Sequence, residues 1–375
     1  MKSSAPRGFL RRIGRSLLAT PTYARQSEAL RTIVRHSTLR RLFNLLLVET
    51  EFRLRRTRIR GKPYVLVVDP TNVCNLRCPL CPTGLHTRGR KGMMMPWETF
   101  TGIIDELAPT AFKVNLFNWG ESLLNKHIFE MIAYANRKGL GTTMSTNLSV
   151  DLSDEQIDGL LNSGLEFLFF SVDGTTQEVY GHYRRMGKLD LVLNNMRRLV
   201  KRRAELGRNL PVLEWQFIPM KHNEHQVDDA RRLSEEIGCD RFRCIPVGVP
   251  FDSANPRELK KEWFPVTVSG GMVGDGENIS SNEQAKSACY FLYRYLIVNP
   301  DSRTSPCCVV YGERSDFGDL SSVKNFAGLW NNEKYRSGRA QYTRGGNVEV
   351  PTICDGCDLF AKRTPGFPPS GKGQA

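Results

Sequence analysis

Three cysteines fall within one short stretch, Cys74-Asn-Leu-Arg-Cys78-Pro-Leu-Cys81, a C-x3-C-x2-C run. Three thiolates on so short a loop can hold three corners of one iron–sulfur cube, because little closure entropy is spent in wrapping it. No fourth cysteine is nearby, so one iron would stay open to an outside ligand. A zinc site completed by His86 is the alternative for the same run. A second set, Cys289, Cys307, Cys354 and Cys357, is spaced C-x17-C-x46-C-x2-C. Four thiolates would close a cluster completely and leave it an electron acceptor or relay. A zinc ribbon is the alternative there. Cys239 and Cys244 flank a strand-like stretch and read as small buried hydrophobes.

Grouped cysteines of this kind belong to a reducing compartment, and Ser16-Leu-Leu-Ala-Thr20 is too short and too Arg-flanked for a secretory h-region. A cytoplasmic location is therefore expected. An Arg-rich, acid-poor start up to Glu28 also fits a mitochondrial transit peptide. The basic pattern continues to Lys62, which favours a retained segment. The 375 residues carry a formal charge of +14, and residues 1–62 supply +13 of it from 16 Lys+Arg against Glu28, Glu49 and Glu51. The body of the chain is close to neutral, which argues against a nucleic-acid-binding active face. No apolar run is long enough to span a bilayer.

The elements that must position the cysteines follow from periodicity. Residues 23–59 read as helix, with Leu30, Ile33, Val34, Leu39, Leu42, Leu45 and Leu46 at helical spacing and Arg between them. This segment, 1–61, is either an amphipathic arm for an anionic membrane surface or partner, or a helix packed on the body with a solvated basic face. From Lys62 to residue 250, strands at Tyr64–Val68, Phe112–Phe117, Gly141–Ser145, Phe167–Val172, Val212–Ile218 and Arg241–Val247 alternate with helices. Six β/α repeats predict a parallel sheet curled into a partial (β/α)6, TIM-like barrel, with the chemistry on loops leaving the C-terminal strand ends. Residues 251–286, rich in Gly, read as a linker. A small cysteine-rich unit spans 287–362 and opens on a hairpin-like Leu296–Thr304. Residues 363–375 read as a disordered tail.

The C-x3-C-x2-C run in the loop after the first strand resembles the radical SAM superfamily. Three further loops resemble it too. Asn118-Trp119-Gly120-Glu121-Ser122 is similar to the family's Gly-Gly-Glu-Pro motif, with Trp for the first Gly and Ser for Pro. Ser145-Thr146-Asn147 is similar to Thr-Asn-Gly, with Leu148 for Gly. Ser171-Val-Asp-Gly174 is followed by Tyr180, Arg184 and Arg185. The resemblance covers roughly residues 62–250. It implies a [4Fe–4S] cluster on Cys74, Cys78 and Cys81 whose open iron binds S-adenosylmethionine, giving a 5′-deoxyadenosyl radical on reduction. It implies cofactor contacts from Gly120, Glu121, Thr146, Ser171 and Arg184. The C-terminal set, with Asn299-Pro-Asp-Ser302 and Ser305-Pro-Cys307-Cys308, resembles the SPASM extension in its shorter "twitch" form. That implies an auxiliary [4Fe–4S] cluster on Cys289, Cys307, Cys354 and Cys357, with Cys307 rather than Cys308 following Ser305-Pro306.

Elsewhere, Met93-Met94-Met95 reads as packing at the barrel mouth, and His222 and His225 as a solvated helix end. The function implied is hydrogen abstraction from an organic substrate, with electrons from a flavodoxin- or ferredoxin-like donor. Peptide-modifying maturases of this shape often carry an N-terminal docking domain of strands and helices. The basic helical segment here lacks hairpin signals, so a carbohydrate, lipid-linked or secondary-metabolite substrate is expected, with a peptide as the alternative. A non-catalytic zinc or iron–sulfur adaptor with a basic arm is the rival class. The expected location is cytoplasmic, peripheral on the inner face of the membrane.

Overall fold

The computed structural model describes residues 23–85, 89–249, 253, 255–266, 288–321, 325–357 and 360. The expected tail at 363–375, most of the expected linker at 251–286, and His86 lie outside the described residues. Within the linker stretch a helix is present at Pro256–Trp263, opened by proline at its first turn.

Helices α1 (Tyr23–Arg35) and α2 (Leu39–Arg53) come first, then β1 (Val65–Val68), α3 (Trp97–Leu107), β2 (Lys113–Asn115), α4 (Ile128–Arg137) and β3 (Gly141–Thr146). The series continues with α5 (Asp154–Asn162), β4 (Phe167–Ser171), α6 (Gln177–Tyr183), α7 (Leu189–Glu205), β5 (Val212–Phe217), α8 (Val227–Ile237) and β6 (Arg241–Cys244). After α9 (Pro256–Trp263) follow α10 (Phe291–Arg294), β7 (Tyr295–Val298), β8 (Arg303–Ser305), β9 (Gly318–Asp319), α11 (Phe326–Trp330) and α12 (Glu333–Ala340).

The six expected strands pair in parallel in the order of the chain, β1 through β6. The sheet is open, with β6 at one edge and β9 at the other, which is the partial barrel expected. Leu66, Val114, Met144, Leu168, Leu213 and Trp215, all fully buried, form a layer against the outer helices. Alternate residues Asn115, Thr143, Ser145, Ser171 and Gln216 share the opposite face with Val67, Phe167 and Phe169, so the interior mixes polar and aromatic groups where the outside is apolar.

Two features were not legible in the sequence. The C-terminal unit is part of the same sheet: β7 runs parallel to β1, pairing Val65 with Tyr295 through Val68 with Val298. β8 then returns antiparallel as the hairpin expected. The N-terminal helix is also broken, ending at Arg35 and restarting after Thr38, whose side chain accepts the N–H of Arg41.

Helix α2 buries Leu45 and Val48 in the main core and polar side chains beside them. Its residues facing the protein include Arg41, Asn44, Glu49 and Glu51, while Leu39, Phe43 and Leu46 point outward. Arg41 donates to the carbonyl of Ala108 at the end of α3 and to those of Lys138 and Gly139 at the end of α4. A guanidinium thus satisfies the orphan carbonyls of two helix C-termini, the negative ends of their dipoles. Asn44 exchanges hydrogen bonds with the backbone of Lys62, and Glu51 accepts the N–H groups of Arg60 and Gly61. Glu49 takes Tyr64 and Arg294. The helix docks by polar capping around that apolar pair.

Candidate active site

Each motif sits where a parallel strand ends. The loop after β1 carries Cys74, Cys78 and Cys81, the last two linked by the Cys81 N–H on the carbonyl of Cys78 at 3.1 Å. The three thiols pack with Leu76, Leu80, Tyr183, Met220 and Trp263 in an apolar pocket apart from the main core. Burial pushes the Cys74 thiol up to about 12 and that of Cys78 to about 11. Burial there favours the protonated thiols, and bound iron would have to displace those protons. Gly84 closes the loop, since a Cβ there would stand 2.5 Å from the Cys78 nitrogen. Among the described residues no group of three or more His, Cys, Asp or Glu is set to hold a single metal ion.

Gly120 and Glu121 follow β2. The Glu121 N–H donates to the carbonyl of Val73 at 2.9 Å, tying this loop to the cluster loop. The Glu121 carboxylate is 2% exposed, and burial raises its pKa. It accepts the N–H of Leu123 at 3.1 Å, the hydroxyl of Thr146 at 2.7 Å and the N–H of Asn147 at 2.7 Å. Thr146 therefore faces Glu121 directly. Leu148, where the family pattern has Gly, adopts φ 53, which explains why glycine suits that position. Asn147 donates to Asn75 Oδ1 at 3.0 Å, and Asn75 donates to the carbonyl of Ser149 at 2.7 Å. These two asparagines lock the cluster loop to the β3 loop. Asn147 lay in a recognised triplet, whereas Asn75 carried no sequence signal.

Ser171 ends β4 and shares a hydrogen bond with Ser145 at 3.1 Å. Arg184 is nearly buried; its Nε donates to Asp173 Oδ2 at 2.6 Å, and it also bonds the Cys78 thiol. Asp173 in turn accepts the N–H of Ile218 at 2.7 Å. Arg185 is exposed, and its carbonyl accepts the N–H of Arg77 at 3.0 Å. The structure thus brings Cys74, Cys78, Cys81, Glu121, Thr146 and Arg184 to one mouth. Gly120 serves by its backbone, and Ser171 stands at the adjoining strand end.

The second cysteine set converges as well. Cys289, buried, lies within electrostatic reach of Cys354 and Cys357, and Cys307 within reach of Cys289 and Cys354. Tyr342 faces Cys289, Cys354, Cys357 and Cys307, and its phenol is raised by burial and by these thiols. The Cys308 thiol also lies within electrostatic reach of Cys307, and its backbone is held separately. With the Asn118 amide turned to satisfy both neighbours, its NH2 donates to the Cys308 carbonyl at 3.3 Å and its oxygen accepts from the Trp119 indole at 2.9 Å.

Residues that sequence reasoning missed join the two centres. Arg90, just after the cluster loop, holds Asp316 bidentately at 2.8 and 2.8 Å and pairs with Asp301. The ring of Trp119 meets that of Tyr311 edge-on at 5.5 Å. Asp69 lies buried beneath Trp119, whose N–H it accepts at 3.0 Å, and burial pushes its carboxyl up to about 7. His222, expected at a solvated helix end, instead packs against His182 and Trp263, and burial pushes it down to about 4; His225 is exposed. Met95 is buried and Met94 exposed, and Cys239 and Cys244 pack on the main core.

The Radical SAM superfamily model matches residues 68–213, and the iron-sulfur cluster-binding domain model, SPASM, matches residues 289–358. The chain belongs to the radical SAM superfamily, a family of enzymes, and carries a C-terminal SPASM domain. Its cofactors are S-adenosylmethionine with a [4Fe–4S] cluster in the first domain and auxiliary iron–sulfur chemistry in the second. It is 27% identical over 181 residues to the tungsten-containing aldehyde ferredoxin oxidoreductase cofactor-modifying protein of Pyrococcus furiosus, covering 47% of this chain and 49% of that one. It is 23% identical over 317 residues to the PqqA peptide cyclase of Granulibacter bethesdensis, covering 79% of this chain and 80% of that one. The chain spans about half the length of most of the curated relatives it matches. In fold it is similar to SuiB of Streptococcus suis solved with the precursor peptide SuiA, at TM-score 0.56 and 14% identity over 85% of this chain and 74% of that one. No helix among the described residues is long and apolar enough to cross a membrane.

Proposed function

We propose that this chain cleaves S-adenosylmethionine reductively and takes a hydrogen atom from a peptide substrate. The observation that carries the reading is the single mouth at which the buried Cys78 thiol, the half-buried Cys74 and Cys81 thiols, the Glu121 carboxylate and the Arg184 guanidinium meet at the ends of parallel strands. When bound, the cluster and cofactor supply one-electron cleavage to a 5′-deoxyadenosyl radical. Cys74, Cys78 and Cys81 would hold the cluster, and Cys289, Cys307, Cys354 and Cys357 the auxiliary one.

The chain's own residues do the rest. Glu121 stays an acceptor because three donors hold it, and it is aimed to take the amino group of the cofactor. Asp173 fixes the plane of the Arg184 guanidinium, which serves both the Cys78 side of the cluster and the methionyl carboxylate. The apolar wall of Leu76, Leu80 and Trp263 keeps water from the reacting centre. Ser171 is placed for the ribose. Electrons come from a flavodoxin- or ferredoxin-like donor in a reducing cytoplasm.

A peptide is favoured over the carbohydrate or lipid-linked substrate expected from the basic N-terminal segment. Support comes from the peptide cyclase relative, whose match covers 79% of this chain and 80% of that one. The helical segment, which prompted the other expectation, proves to be a polar cap on α3 and α4 and says nothing of the substrate. The test is anaerobic reconstitution with iron and sulfide, then 5′-deoxyadenosine production with dithionite, and mass spectrometry on peptide and polyol panels. About eight irons per chain, cleavage lost in Cys78→Ala, and a peptide losing two hydrogens are expected. Turnover of polyols alone would overturn the substrate, and zinc without cleavage would return the adaptor.

A further inference from the structure

The outward faces of α1 and α2 are apolar and cationic and carry no acid. Leu39 is 89% exposed, Phe43 69% and Leu46 49%, a stripe at helical spacing along α2. On α1, Val34 is 71% exposed and Leu30 53%. Arg31, Arg40 and Arg53 are exposed beside them. The three acids of the segment all point inward. Glu28 pairs with Lys113 at 2.7 Å, Glu49 with Arg294 at 2.8 Å, and Glu51 caps the backbone of Arg60 and Gly61. The sequence left open an arm for an anionic membrane surface or partner and a helix packed on the body with a solvated basic face; the structure packs α2 through Leu45 and Val48 and leaves Leu39, Phe43 and Leu46 outside beside the arginines.

The chemistry of that face selects its occupant. A second copy of the chain would set arginine against arginine. A nucleic acid would use the cations and leave the leucines in water. An acidic headgroup layer over acyl chains takes both, the guanidinium groups at the phosphates and Leu39, Phe43 and Leu46 below them. We propose that residues 30–54 seat this protein on an anionic lipid bilayer. Helices α1 and α2 meet the sheet at strand starts, Glu28 on Lys113 and His36 on Glu166, so the mouth of the barrel faces away from that bilayer.

The experiment is co-sedimentation of the full chain with vesicles of phosphatidylcholine alone or mixed with phosphatidylglycerol. Binding to the anionic vesicles should exceed that to the neutral ones by about tenfold or more and fall as salt is raised. Phe43→Glu with Leu46→Glu should abolish it while leaving the melting temperature unchanged, since both side chains face out. Arg40→Gln and Arg53→Gln should each weaken it about fivefold and flatten the salt dependence. Equal binding to neutral and anionic vesicles overturns the proposal, as does wild-type binding by the Phe43→Glu/Leu46→Glu protein. Sedimentation velocity without lipid is the remaining arm. A dimer that the same double substitution dissociates would assign the face to a second copy and overturn it too.

Discussion

Gly120 approaches Thr71 so closely that a Cβ on it would stand 1.8 Å from the Thr71 carbonyl oxygen. Two backbones, those of the cluster loop and of the loop after β2, are in contact there, and the Glu121 N–H bond to Val73 depends on it. Glycine is demanded by the packing of one site loop on another.

Gly120→Ala should therefore push the two loops apart. A loss of about 1–3 kcal/mol or more is expected from overpacking against backbone that has no rotamer to yield. Urea unfolding measures it, and binding of S-adenosylmethionine to the reconstituted protein should fall with it. A variant as stable as the parent would show that the loops can separate freely.

Glu121→Gln keeps the shape and removes the charge. Its NH2 would face the N–H groups that the carboxylate now accepts, so at least one donor is left unpaired. A loss of about 10- to 100-fold in cofactor affinity is expected by anaerobic calorimetry. Iron content should stay at the parent level, because Cys74, Cys78 and Cys81 are untouched.

Arg90 is the clamp between the cluster loop and the C-terminal unit. Arg90→Ala leaves Asp316 and Asp301 without their cation, and about 3–5 kcal/mol of stability should be lost. Burial holds Asp316 up at about 6 even beside Arg90, so the deficit should shrink as pH falls below that value and the carboxyl takes a proton. Chemical denaturation at several pH values checks this; a pH-independent deficit would point to lost packing.

Asp69 is raised from 3.8 to about 7 by burial. The folded chain then binds a proton that the unfolded chain has released, so Asp69 lowers stability as pH rises from about 4 to about 7. Asp69→Asn keeps an acceptor for the Trp119 N–H and removes that slope. It should be more stable than the parent above pH 7, by at most about 4 kcal/mol, and equal to it near pH 4. Thermal melts across that window decide it.

Cys307 and Cys308 separate by iron counting. Cys307 shares the surroundings of Tyr342 with the other three cysteines, whereas the Cys308 backbone faces Asn118. Cys307→Ala should cost about four irons per chain and the auxiliary paramagnetic signal. Cys308→Ala should retain both, and loss of iron in that variant would reverse the assignment.

The sequence by itself determined the parallel repeat, the loop that carries Cys74, Cys78 and Cys81, and the strand ends at Glu121, Thr146 and Ser171. Local periodicity and short-range spacing suffice for those, because a strand's alternation and a turn's chemistry are properties of neighbouring residues. Tertiary structure decided what depends on partners far along the chain. Arg184 reads as a carboxylate fork until Asp173 and Cys78 surround it. Arg90 is one arginine among many until Asp301 and Asp316 arrive from more than 200 residues away. Helix α2 carries an apolar stripe that periodicity would bury. Only Leu45 and Val48 of it enter the core, and Arg41 and Asn44 are buried beside them, because helix ends at Ala108 and Gly139 offer carbonyls that only hydrogen-bond donors can satisfy. Spacing names the side chains on each face, and the unpaired groups opposite decide which face turns inward.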